Sequence, residues 1–124
     1  MLPPDPLHTL WHTPVGVHQW PQADAANEVL VRVFQTMRAT DAAAQPLPGQ
    51  AAKPFYASRD DLLQRIRLTE WEQLVGFLVD SVRQTVVLAN QGAWPEGKPG
   101  FQIALRGIWF QISSQGSHHD VHTH

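Results

Sequence analysis

The histidines of this chain are the residues whose types and spacing could do chemistry, and they lie near its two ends. His8, His12 and His18 are scattered near the start, and no further histidine occurs before His118. Four more fall in the closing run His118-His119-Asp120-Val121-His122-Thr123-His124. Imidazole and carboxylate groups together suit Fe, Zn, Ni or Cu, whereas an all-oxygen Ca or Mg site needs more carboxylates. The closing run therefore predicts a transition-metal site.

The spacing within the closing run supports this prediction if the run is an extended strand. Side chains alternate between the two faces of a strand, so one face carries His118, Asp120, His122 and His124. Neighbours on that face lie about 6.5–7 Å apart at Cα, and two imidazoles at this separation can hold one ion at about 2.0–2.2 Å. Two other interpretations stay open: a solvated tail, or an acid–base or pH-sensing role for the histidines.

Three helices are predicted ahead of this run from apolar residues at helical spacing. Asp24 is the predicted N-cap of the first helix, which ends near Thr40. A second, short helix follows the capping pattern at 58–61. The third begins with a capping box at Thr69–Glu72 and carries a broad apolar stripe as far as Ala89.

The rest of the chain is predicted as an arm, a loop and strands. Prolines favour an extended arm over 10–17, and residues 41–57 are predicted as a surface loop because they are rich in Ala, Pro, Gln and Gly. Apolar residues alternate over Phe101–Leu105, which predicts a strand, and a bulge at Gly107 would explain the shift of the apolar set after it. This order predicts one α+β domain over all 124 residues, its arm and helices packed on antiparallel strands.

The composition argues against several classes of protein. The chain of 124 residues is long enough for one hydrophobic core, and without cysteine it has neither a disulfide nor a thiolate metal site. Nine basic and eleven acidic residues, with no block of either sign, are not typical of a nucleic-acid binder. The longest apolar run, Leu74–Val79, is too short to span a bilayer, and the start lacks the features of a secretory signal. We therefore expect a cytoplasmic protein with neither a nucleic-acid nor a membrane partner.

The stretch that ends in the histidines resembles a known family. It reads Trp109-Phe-Gln-Ile-Ser-Ser-Gln-Gly116-Ser-His-His-Asp-Val-His122-Thr-His124. In the 2-oxoglutarate- and Fe(II)-dependent oxygenases, a Trp-bearing strand and a small polar turn with Gly lead into an H-x-H pair. The opening Leu10-Trp11-His12-Thr13-Pro14-Val15 is similar to that family's aromatic-x-Thr-Pro-Val arm. The resemblance extends loosely over the whole chain, and only the stretch from Trp109 is specific.

The resemblance implies an oxidoreductase, a dioxygenase that uses Fe(II) with 2-oxoglutarate as co-substrate. The implied fold is a jelly roll (double-stranded β-helix), of which the predicted arm, helices and strands form part. His122 and His124 match the family's H-x-H metal ligands, and in a second register His118 and Asp120 form the H-x-D pair of the wider superfamily. The substrate, whether a small molecule or a protein, is not indicated.

The sequence departs from the family pattern after His124. The family continues with a strand, a distal metal-binding histidine and an arginine that holds 2-oxoglutarate, and no residue here matches either of these two. We therefore expect the amino-terminal portion of a longer oxygenase with an incomplete site, unless His8, His12, His18 or a second copy supplies a ligand. The alternative is a non-catalytic interaction or dimerisation module. In that case the stripe over 71–89 meets a partner, and the histidines bind metal adventitiously.

Overall fold

The computed structural model describes residues 3–10, 13–51, 54–94, 98 and 100–117. Its elements in chain order are β1 (Asp5–Leu10), β2 (Thr13–Val17), α1 (Ala23–Thr40), a 3₁₀ turn (Ala42–Ala44), β3 (Phe55–Ala57), α2 (Leu62–Arg65), α3 (Thr69–Ala89) and β4 (Gln111–Ser113). β1 pairs with β2 and β3 pairs with β4, both antiparallel. The predicted α+β class is confirmed. None of the helices in the described ranges has the length and apolar character needed to cross a membrane.

Contacts along the chain group it into two compact units. The first unit comprises Met1–Ala26 and Arg67–Arg106, and the second comprises Asn27–Ile66 and Gly107–His124. One boundary falls inside α1. The sequence gave no sign of this division, because the apolar stripe of α1 runs through the boundary without a break.

In the first unit, the hairpin of β1 and β2 packs against α3. Leu10 lies opposite Thr13 and His8 lies opposite Val15. The predicted arm over 10–17 is therefore mostly the second strand of a hairpin. A two-stranded sheet accommodates the prolines of this region, because each strand has an open edge that needs no donor.

The third predicted helix is confirmed as α3, but its start differs from the prediction. The predicted capping box is wrong: Leu68 is the N-cap, and no side chain bonds the helix start. Thr69 already has helical backbone, so its hydroxyl is not at the capping position. The helix ends before Asn90, as predicted. Along its stripe Leu78 remains 37% and Val82 45% exposed, so the first unit covers the stripe only in part.

The second unit holds most of the buried core among the described residues. Its buried apolar side chains are Leu30, Tyr56, Leu62, Ile66 and Phe110. The ring of Phe34 on α1 stacks on Phe110 with 4.3 Å between centroids, and Tyr56 of β3 lies 5.6 Å from Phe110 at a tilt. This aromatic cluster joins α1 to the segment that leads into β4.

The segment 41–57, predicted as a surface loop, contains the 3₁₀ turn and β3. Tyr56 is buried there because β3 pairs with β4 and places that ring against Phe110. A strand of three residues beside Pro54 is too short to show an alternation of apolar and polar residues. The prediction therefore described the composition of this segment correctly and overlooked its one paired stretch.

The segment 101–113 also differs from its prediction. Burial alternates over 101–106 as the sequence suggested, but no strand forms there. Ladder pairing is limited to a single bridge between Asp61 and Ile108 and to β4. At Gly107 a side chain would meet the Asp60 carbonyl oxygen at 3.2 Å. The glycine therefore permits a close approach of two backbones, where the sequence had suggested a bulge.

Candidate functional site

The predicted metal ligands His118, Asp120, His122 and His124 lie outside the described residues, whose last member is Ser117. Within the described ranges, no group of three or more His, Asp or Glu side chains is placed to hold a metal ion. The structure thus describes the approach to the histidine run.

That approach is the strand β4, which is fixed from both ends. Its register with β3 pairs Ala57 with Gln111 and Phe55 with Ser113. Just ahead of β4, the Ser58 hydroxyl accepts a hydrogen bond from the Phe110 N–H at 3.0 Å, and the Ser58 N–H donates to the Phe110 carbonyl at 2.9 Å. The start of the strand is thus held by backbone, side chain and the aromatic cluster together.

The end of β4 is held by a cluster that we call the serine clamp, formed by Ser114, Ser117 and the carbonyl of Pro54. Both serine hydroxyls donate to the Pro54 carbonyl oxygen at 2.6 Å, and the Ser114 N–H donates to the same oxygen at 3.0 Å. The Ser117 hydroxyl also accepts from the Ser114 N–H at 2.9 Å, and the Ser117 N–H donates to the Ser114 carbonyl at 3.0 Å.

The turn inside the clamp requires a glycine. Gly116 has a φ of 84°, in the left-handed region that other residues adopt at a cost. The predicted turn over 113–117 is therefore confirmed. It brings Ser117 back onto Pro54, and His118 follows Ser117 directly in the chain.

A buried titratable pair lies behind β3. The Tyr56 hydroxyl donates to the Asp41 carboxylate at 2.7 Å, and the other carboxylate oxygen of Asp41 accepts from the Ala43 N–H at 2.9 Å. The bond from Tyr56, followed by the bond from Ala43, lowers the pKa of Asp41 below its ordinary value. Burial first, and then the bond to Asp41, raises the pKa of Tyr56 to about 12. The pair joins the 3₁₀ turn to β3 and is not arranged to exchange a proton at neutral pH.

Of the N-terminal histidines, His8 and His18 are described and His12 is not. The Nε2 of His8 lies 3.0 Å from the Pro3 carbonyl, which can only accept, so this nitrogen carries the proton. The Thr85 hydroxyl donates to the Ser81 carbonyl at 2.9 Å, so it must accept from His18 Nε2, also at 2.9 Å. His18 therefore does not act as a base toward Thr85. Both rings already use one nitrogen within the first unit.

A groove of about 440 Å³ lies in the first unit between the hairpin and α3. Its walls include Val17, Phe77 and prolines, with His18 and Asp80 among its polar groups. The Trp20 ring stacks on Phe77 beside it, with 6.2 Å between centroids. The polar groups could orient a ligand, but nothing bound identifies one.

Sequence analysis did not find the Tyr56–Asp41 pair or the serine clamp. Ser114 and Ser117 were recognised only as turn residues, and Pro54 only as a residue that interrupts regular structure. No local signal could have linked them, because the clamp joins positions 60 and 63 residues apart. Only the pairing of β3 with β4 brings them together.

No family model, no curated protein and no solved structure matches this chain.

Proposed function

We propose that this chain is the amino-terminal part of a non-haem Fe(II)- and 2-oxoglutarate-dependent oxygenase of jelly-roll fold. The supporting observation is the order of elements at its carboxyl-terminal side. β4 is followed by a polar turn with a left-handed Gly116, and the histidine run follows Ser117 at once. This is the order on which the sequence resemblance rests. The structure adds a paired strand and a closed turn at the positions where the resemblance expects them.

The donor set of the proposed site fits Fe(II) in its chemistry. His122 and His124 are the proposed ligands, with His118 and Asp120 as the ligand pair in the second register. Two imidazoles, or an imidazole and a carboxylate, supply the nitrogen and oxygen donors that Fe(II) oxygenases use. When bound, the iron would supply the sites at which 2-oxoglutarate and O₂ meet.

The proposal is tested by anaerobic titration of the protein with Fe(II) and then 2-oxoglutarate. A chelate of the two gives a weak visible charge-transfer band, and we expect this band in the wild-type protein. The double variant His122→Ala/His124→Ala should lose it. His8→Ala, the same kind of change outside the run, should keep it. In the second register the band is lost instead in His118→Ala/Asp120→Ala.

Two outcomes would count against an oxygenase. If no metal binds, or if Zn binds without any uptake of 2-oxoglutarate, the site does not have the proposed chemistry. Release of succinate from 2-oxoglutarate under air, without added substrate, is an independent measurement in its favour. The variant pair that lacks the band should also lack this release.

A second candidate function is a dimerisation module, and the exposed stripe of α3 favours it. Leu78 and Val82 lie one helical turn apart and are both partly exposed on that helix. Large apolar side chains next to each other at the surface are typical of an interface. Sedimentation velocity of the wild type, of Leu78→Gln/Val82→Gln and of the exposed control Leu47→Gln tests this. Only the double variant should dissociate a dimer, and a wild-type monomer at all concentrations would refute it.

A further inference from the structure

The convergence of donors on the Pro54 carbonyl goes beyond what a turn requires. A carbonyl oxygen has two lone pairs, yet this one accepts from two hydroxyls and one N–H. The two O–H···O distances of 2.6 Å lie at the short end of the ordinary range. Ser114 and Ser117 are therefore held to a single point on a different segment of the chain.

The accepting oxygen is itself fixed in place. Pro54 immediately precedes β3, and its ring restricts φ. The next residue, Phe55, lies opposite Ser113 in the ladder. The clamp thus ties the end of β4 to the start of β3, beyond the last pair of the sheet.

We propose that the serine clamp is a positioning device for the metal-binding run that begins at His118. This inference rests on the proposed function, because it concerns the same ligands. The clamp fixes the point and the direction from which the chain leaves Ser117. The ligands that follow then have fewer conformations to lose when a metal binds, since ordering each residue of a free chain costs conformational entropy.

The expected effect is on metal affinity. Supporting contacts outside a metal's own ligands typically change its affinity by about 10–100-fold. We therefore expect the double variant Ser114→Ala/Ser117→Ala to bind Co(II) at least about tenfold more weakly than the wild type. The variant Ser114→Thr/Ser117→Thr keeps both hydroxyls and should restore most of the affinity.

The experiment is a calorimetric titration of the whole chain with Co(II) under matched conditions. The matched control is Ser113→Ala, the same change at the exposed neighbouring serine of β4, and it should bind like the wild type. Thermal unfolding of each metal-free variant separates the two roles. A purely structural clamp would lower the unfolding temperature and leave the Co(II) affinity of the folded protein unchanged.

The outcomes distinguish this inference from the function on which it rests. If the wild type binds Co(II) and the double serine variant binds it equally well, the positioning role is refuted and the metal site stands. If the wild type and His122→Ala/His124→Ala both fail to bind, the metal site itself is refuted. Weak binding by the double serine variant with rescue by threonine supports the inference.

Discussion

Leu62→Ala gives the sharpest test of the packing that holds β4. Leu62 begins α2 and has 0% of its surface exposed, the lowest value among the described side chains. It shares the second unit with the buried Ile66 and Phe110. Truncation leaves a cavity where the surroundings relax only in part, so we expect a loss of about 2–5 kcal/mol in the free energy of unfolding. Against a total of about 5–15 kcal/mol for a typical domain, this is a large fraction.

Leu47→Ala is the matched control, since the same atoms are removed from a side chain that is 65% exposed. Surface changes of this kind stay within about 0.5 kcal/mol of the wild type. Urea unfolding followed by circular dichroism measures both variants. With a slope of about 1–3 kcal/mol per molar urea, the midpoint of Leu62→Ala should fall by about 1 M or more.

Equal midpoints for the two leucine variants would refute this account of the second unit. Such a result would mean that the Leu62 site opens to water at little cost, and that the core around Phe110 does not fix β4. A fall in both midpoints would instead mean that the loop around Leu47 is packed, against its exposure in the structure.

Three further predictions follow from single contacts. Burial and the bond to Asp41 raise the pKa of Tyr56 from 10.0 to about 12, so their contribution to stability is fully present below pH 10 and is lost as the pH rises through about 12; Tyr56→Phe should remove this alkaline loss in urea unfolding at each pH. Because the pKa of Asp41 is lowered, its contribution is present above the ordinary carboxyl range and is lost as the pH falls through the lowered value; Tyr56→Phe should reduce this acid dependence as well. Gly107→Ala should destabilise the fold by about 1–3 kcal/mol, because the new methyl group meets the Asp60 carbonyl oxygen at 3.2 Å, whereas Gly76→Ala should stabilise α3 by about 0.5–1 kcal/mol, because nothing lies within 4 Å of its new methyl group.

Each of these expectations has a result that contradicts it. An alkaline loss that persists unchanged in Tyr56→Phe would mean that the tyrosine contributes nothing to it. A Gly107→Ala protein as stable as the wild type would mean that the backbones at Asp60 and Gly107 can separate freely. A destabilised Gly76→Ala protein would place a neighbour against the open face of α3.

The long helices could be predicted from the sequence because their signal is local. The stripe of α1 includes the buried Ala26 and Leu30, and the predicted end of α3 before Asn90 is correct. The short strands could not be predicted in the same way. β3 has three residues, and its pairing depends on a partner more than fifty positions away. Over 101–106 the alternating pattern was correct but did not decide whether a partner strand lay beside it.

By itself the sequence determined the α+β character of this protein, the polar turn over 113–117 and the kind of donor atoms that follow it, since each depends on residue type and short spacing. Only the tertiary structure decided that Pro54 receives Ser114 and Ser117, that Asp41 receives Tyr56, and that Gly107 lies against Asp60. The physical reason is that these contacts join residues far apart in the chain, and hydrogen bonds and close approaches of that kind exist only once packing has brought their segments together.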